Sequence, residues 1–240
     1  MNKIVNFESK EEFNNFLDSV TYEALGSGSE GSCFRGKDGL AYKFLDIDED
    51  EESDYNPEKI ITTADIQTEA FALPDTIFTV KDNFVGYTSN LISPNLFSNR
   101  FLVDNNTVSH IDFDKLIKDY YEMMKDVDYF TSRGIKIFDL GFNLLYDGKR
   151  LCGIDTCSYI WDNSITVLEN RDALSDAMKK VFFLFLLRND DKYKDCDNAF
   201  ELLLKDMDES DTECFLRDIE SRYKSKKNVK VYVNKKSSNW

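Results

Sequence analysis

Residues 25–45 read LGSGSEGSCFRGKDGLAYKFL, and this stretch constrains the fold more tightly than any other. Glycines at 26, 28 and 31 sit among segments whose apolar residues recur with a period of two. Tyr22–Leu25, Cys33–Arg35 and Leu40–Leu45 are therefore predicted as three antiparallel strands, with GKDG at 36–39 closing a hairpin. Two more strands, TIFTV and FVGYTSNLI, flank the turn KDN at 81–83. The first third of the chain reads as a sheet.

The remainder changes period. Ser9 with Glu12 forms a capping box ahead of EEFNNFLDSV, so a short helix precedes the strands. DIDEDEESD at 46–54 reads as a solvated acidic loop, because like charges at that density repel. Asn56-Pro57 then supplies a cap and a first-turn proline for a helix predicted to run to Pro74. SPN at 93–95 reads as a hinge. From an Asp112 cap to Gly134 the apolar residues Leu116, Ile117, Tyr120, Met123, Met124, Val127 and Phe130 form one stripe at helical spacing. Asp147-Gly148 closes a hairpin between NLLY and RLCGI, and helices are expected over roughly 171–188, 197–207 and 211–224. This order predicts a two-lobed α+β fold, with a small antiparallel-sheet lobe at 1–92, a reduced helical lobe at 93–240, and a ligand cleft between them.

Composition narrows the function classes. A 240-residue chain with 42% hydrophobic residues can bury a core, and its net charge of −15 repels phosphate backbones and anionic lipid. Nucleic acid and membranes are thus not expected as partners. Five scattered cysteines without a CxxC pair suit reduced thiols, and a single histidine, His110, leaves a Ser-His-Asp triad poorly supplied. The N-terminus lacks the apolar core of a signal peptide, and VFFLFLL at 181–187 is too short to span a bilayer and reads as a buried helix. A soluble, cytoplasmic protein is the expectation. His110 reads as a surface residue, and the basic stretch at 222–236 as a flexible or edge-strand terminus.

Gly26-x-Gly28-x-x-Gly31 is followed by a strand rather than a helix, which excludes a dinucleotide-binding turn, and no Gly-Lys-Ser/Thr follows to make a P-loop. A glycine-rich hairpin remains, whose backbone can approach phosphate oxygens because no side chains intervene. With the residues that follow it, this hairpin resembles the protein-kinase-like superfamily, in particular minimal, atypical kinases of bacterial type, from Tyr22 to about Leu187. Gly26, Gly28 and Gly31 match the glycine loop, and Ala41-Tyr42-Lys43 resembles the A-x-K strand. Glu69 takes the place of the helical glutamate that pairs with that lysine, Glu58 sharing the same predicted helix. Asp139 and Asn143 match the catalytic-loop aspartate and asparagine, Asp155 matches the metal-binding aspartate, and FVGYTSNLI looks like the strand entering the adenine-contacting linker, with Ser89 and Asn90 at its end.

The resemblance implies ATP and Mg²⁺ as nucleotide and cofactor. Lys43, held by Glu69, would bind phosphates; Asn143 and Asp155 would hold magnesium; Asp139 would take the proton of a hydroxyl acceptor. The implied activity is transfer of the γ-phosphate to Ser/Thr of a protein or of the chain itself. A nucleotide-binding pseudokinase or scaffold, or a small-molecule kinase, are the alternatives. The chain departs from the family in four places: Ile137-Phe138-Asp139 stands for His-Arg-Asp, Asp139 to Asn143 spans four steps rather than five, Asp155-Thr156-Cys157 replaces Asp-Phe-Gly, and no Ala-Pro-Glu follows. The losses fall on bracing and peptide-docking residues; the groups that would touch phosphate or metal are kept.

Overall fold

The computed structural model describes residues 3–28, 31–46, 54–92, 103–146, 148–194 and 196–236. The tip of the glycine hairpin, most of the acidic run, the 93–95 hinge and Asp147 lie outside them. The chain forms two compact units: Met1–Ser93 with Phe130–Phe138 and Gly153–Ile165, and Pro94–Tyr129 with Asp139–Cys152 and Thr166–Trp240.

The first unit is built on a six-stranded sheet: β1 (Lys3–Phe7), β2 (Thr21–Ser27), β3 (Gly31–Gly36), β4 (Leu40–Leu45), β5 (Thr76–Val80) and β6 (Asn83–Asn90), in the order β1-β5-β6-β4-β3-β2. The five expected strands are all present and pair antiparallel; β1, which the sequence reading missed, adds to the edge parallel to β5. Helix α1 (Lys10–Val20) begins at the Ser9 cap, whose hydroxyl accepts from the Glu12 N–H at 3.2 Å, while Glu12 accepts from the Glu8 N–H at 2.9 Å. Strand pleating sends Tyr42 and Phe44 of β4 to one face, where they join Phe7, Phe13 and Phe78 in an aromatic core covered by Phe16 and Leu17. Lys43 points to the other face.

One expected element does not form. Between Asn56 and Pro74 only Pro57–Lys59 makes a helical turn, of the tighter 3₁₀ type. Ile60, Ile61, Thr62 and Thr63 are β-branched, the Thr62 hydroxyl and N–H both bond to Asp65, and four consecutive residues, Phe71 to Pro74, are buried. A one-faced helix cannot bury four residues in a row, and local side-chain bonds compete with the helical ladder. The segment instead runs extended against Gly153, with the Ala72 N–H donating to Gly153 O and the Gly153 N–H to Ala70 O, each at 2.8 Å.

The second unit is largely helical, around α2 (Asn105–His110), α3 (Phe113–Ser132), α4 (Val167–Lys180), α5 (Phe183–Asn189), α6 (Asp191–Lys194), α7 (Ala199–Glu209) and α8 (Thr212–Lys236). The short strands β8 (Leu144–Tyr146) and β9 (Leu151–Gly153) pair with each other, while β7 (Ile135–Lys136) and β10 (Ile160–Trp161), which belong to the first unit, pair there. Helix α3 follows the expected stripe: Leu116, Ile117, Tyr120, Met123, Val127 and Phe130 are buried, and Gly134 ends it at φ 71°. The helix expected over 171–188 breaks at Val181–Phe182, where both side chains are buried, and α8 carries on through the basic stretch expected as a flexible or edge-strand terminus. His110 is exposed, as expected.

Phe78 is buried at the centre of the aromatic core, so Phe78→Ala is expected to destabilise the protein by about 3–5 kcal/mol in urea denaturation. Burial, then the hydrogen bond to Asp38 at 2.9 Å, push the Tyr42 phenol up to about 12. The unfolded chain ionises that phenol near pH 10 while the folded chain keeps its proton. This stabilisation is therefore complete below about pH 10 and is lost as pH rises through about 12. Melting temperatures measured from pH 9 to 12 should fall less steeply for Tyr42→Phe than for the native chain.

Candidate functional site

In the first unit, β4 places Lys43 between two register partners, Cys33 on β3 and Tyr87 on β6. On its face of the sheet Tyr87 belongs to a buried cluster of Ile60, Ile77, Phe84 and Cys157. The Lys43 ammonium forms an ion pair with the Asp155 carboxylate, the two side chains 15% and 21% exposed. Residues far apart in sequence, assigned to the phosphate and the metal by resemblance, thus meet in one half-buried pair.

Two features hold Asp155 in place. Its backbone is left-handed, φ 58° and ψ 47°, and its side chain caps none of the N–H groups of the 3₁₀ turn Thr156–Ser158 that follows. An aspartate in that region stores strain, which concentrates where geometry serves a site. Behind it, Gly153 is pinned to the 70–72 segment and the Thr156 hydroxyl donates to Ala72 O at 3.0 Å. The carboxylate accepts a further bond from the Tyr87 hydroxyl at 3.3 Å, with the Cys157 thiol 3.7 Å away. Burial first, with Cys157 and Asp155 adding, pushes the Tyr87 phenol well above its usual range, so it stays a neutral donor. Burial likewise raises the Cys33 thiol, against the opposing pull of Lys43.

Glu69 lies exposed in a bend rather than on the expected helix. Ser89 is buried at the end of β6 opposite Ala41, and Asn90 beside it is exposed opposite Leu40.

The three glycines differ in what they do. At Gly31 a Cβ would come within 1.9 Å of the Phe44 carbonyl oxygen, and φ is 155°, so the sheet itself requires glycine there. At Gly26 and Gly28 a Cβ would meet nothing within 4 Å among the described residues. The Gly28 N–H closes the hairpin onto Gly31 O at 2.8 Å. Packing among the described residues does not explain Gly26 and Gly28.

In the second unit, Asp139 is also left-handed, φ 48° and ψ 30°, and likewise stands ahead of a 3₁₀ turn (Leu140–Phe142) that its side chain does not cap. It is exposed, while Leu140, Leu144 and Leu145 anchor the turn in the core. The Asn143 amide donates to Asp139 O at 2.9 Å and lies 3.4 Å from its Oδ2, so the two predicted site residues are brought together. Helix α4, tied to α3 by a bidentate Arg171–Asp128 pair at 2.7 and 2.6 Å, packs against this turn. A Cβ at Gly141 would stand 3.2 Å from Lys180 Cδ and 3.9 Å from its Nζ. Lys180, like Tyr87, has no sequence signature: helical spacing and strand alternation say which face a residue takes, not which loop that face meets.

Asn143 and Asp155, the predicted metal ligands, belong to different units. Among the described residues no three His, Cys, Asp or Glu side chains cluster as metal ligands. No helix among them is long and apolar enough to cross a membrane. No protein-family model matches the chain, and no curated protein does.

Gly31→Ala is expected to lower stability by about 1–3 kcal/mol, since backbone rather than a flexible side chain must yield. Gly26→Ala and Gly28→Ala should change it by less than about 0.5 kcal/mol. Urea midpoints of the three variants check this.

Proposed function

We propose that the chain is an ATP- and magnesium-dependent phosphotransferase of the protein-kinase-like class, transferring the γ-phosphate to a hydroxyl acceptor on a protein or on itself. The observation that carries the reading is the Lys43–Asp155 ion pair, formed on the sheet face beside Tyr87 in the unit that also holds the glycine hairpin. The sheet order β5-β6-β4-β3-β2, with the lysine strand at its middle, supports it as well.

The residues fit the roles. Lys43 supplies a positive charge for phosphate oxygens, and the bare backbone at Gly26 and Gly28 lets a polyphosphate approach β2 and β3. Asp155 in the first unit and Asn143 in the second each offer a hard oxygen, the donor type that suits magnesium with phosphate oxygens and waters as its other ligands. Such an ion would neutralise charge developing on the phosphates. Asp139 would hold the acceptor hydroxyl and take its proton as the oxygen bonds to the γ-phosphorus and the bond to the leaving ADP oxygen breaks. Such general-base assistance contributes roughly 10²–10⁴-fold.

A second reading, a nucleotide-binding pseudokinase or scaffold, is favoured by one observation: Asn143 donates to Asp139 itself, so two groups assigned to metal and acceptor engage each other.

Thermal shift with ATP, and with ATP plus Mg²⁺, should raise the melting temperature increasingly with ligand concentration, by about 2.7 kcal/mol of stabilisation at one hundred times Kd. Lys43→Ala should weaken the shift. No shift at millimolar ATP overturns nucleotide binding. Labelled ATP should then mark the native chain or an added protein, and the signal should vanish in both Asp139→Ala and Asp155→Ala. Binding without transfer leaves the scaffold reading standing.

A further inference from the structure

The helix predicted over 57–74 does not form. The segment that would have been the helix instead binds the backbone at Gly153, two residues before Asp155. Its hydrogen bonds set the main chain and leave the carboxylate of Asp155 to be oriented by something else.

Tyr87 is placed to do this. It is the register partner of Lys43 on β6, so both side chains leave the sheet on the same face. Its ring is 2% exposed and stacks on Phe84 with centroids 6.4 Å apart, packed with Ile60, Ile77 and Cys157. A ring so confined has one rotamer and aims its hydroxyl along one line, which ends at Asp155 Oδ1, 3.3 Å away. The same carboxylate accepts from Lys43.

Resting on the kinase-like reading, we propose that Tyr87 is the positioning residue of the Lys43–Asp155 pair: a neutral hydroxyl from the sheet orients the aspartate, and the aspartate orients the lysine. A neutral donor suits the task. A second carboxylate beside Asp155 would compete with it for the lysine and repel it, whereas a phenol directs one oxygen and leaves the pair's net charge unchanged.

The test uses the nucleotide-free protein. Acetylation of Lys43 by an N-hydroxysuccinimide ester is followed by mass spectrometry, with the exposed Lys118 as internal reference. In Tyr87→Phe, Lys43 should react about fivefold faster relative to Lys118, the order expected from losing one typical intramolecular hydrogen bond. In an Asp155→Asn background, which removes the carboxylate without disturbing the ring, adding Tyr87→Phe should change nothing further. Equal Lys43 reactivity in the native chain and Tyr87→Phe overturns the inference, and so does an undiminished Tyr87→Phe effect in the Asp155→Asn background. Because no nucleotide is present, a chain that failed to bind ATP would sink the kinase-like reading and leave this result intact. Where nucleotide does bind, the gain in affinity on adding Mg²⁺ to ATP should shrink in Tyr87→Phe while metal-free affinity stays within about twofold.

Discussion

The first unit depends on one electrostatic arrangement: a lysine and an aspartate brought out of bulk water and onto each other. Partial desolvation of two charges is costly, and their attraction offsets it only when the geometry is good and the remaining oxygen positions are satisfied. The carboxylate takes a second hydrogen bond from Tyr87, and the backbone beneath it is held at Gly153 and Thr156 by the 70–72 segment. Much of the local structure follows from keeping that pair in register.

Strand alternation makes such a pair affordable beside an aromatic core. β4 carries Tyr42 and Phe44 toward α1 and Lys43 toward the opposite face, so one strand serves a dry cluster and an ion pair without mixing them. A register slip of one residue would bury Lys43 among phenylalanines. Gly31 guards against a related fault, since at that position only a bare Cα lets β3 lie against the Phe44 carbonyl.

Elements whose signal is local were legible in the sequence. The five antiparallel strands, the Ser9 cap, the α3 stripe and the Gly134 stop come from period, capping and turn chemistry that neighbours three or four residues away decide. The helix expected at 57–74 failed because its cap and proline were read correctly but its burial was not. Ile60, Ile61 and Phe71 to Pro74 are called inward by distant partners, Gly153 among them, and tertiary contacts override a modest helical preference. The break at Val181–Phe182 was hidden in a uniformly apolar run, where periodicity carries no information. Of the candidate site, Lys43 with Asp155 and Asp139 with Asn143 could be named as residues; the helix expected to carry Glu69 is absent, and strand alternation and helical spacing alone do not single out Tyr87 or Lys180.

The loss of that helix changes what kind of device the site can be. A lysine held by a carboxylate on a mobile helix can be released by moving the helix, so occupancy of the pair becomes adjustable. Here the aspartate that meets the lysine takes a hydrogen bond from a ring locked in a sheet core. Tyr87 lies on β6 and Asp155 on a loop bonded to an extended segment, so moving Tyr87 away from that carboxylate disturbs buried packing around Phe84 and Ile77. Asp139 and Asp155 fit the same logic: each is left-handed and holds an uncapping carboxylate at the mouth of a 3₁₀ turn, and strain at such positions persists only where surrounding structure enforces it. The geometry is that of a site assembled by folding itself, in which stability of the sheet and readiness of the charged pair are one and the same property.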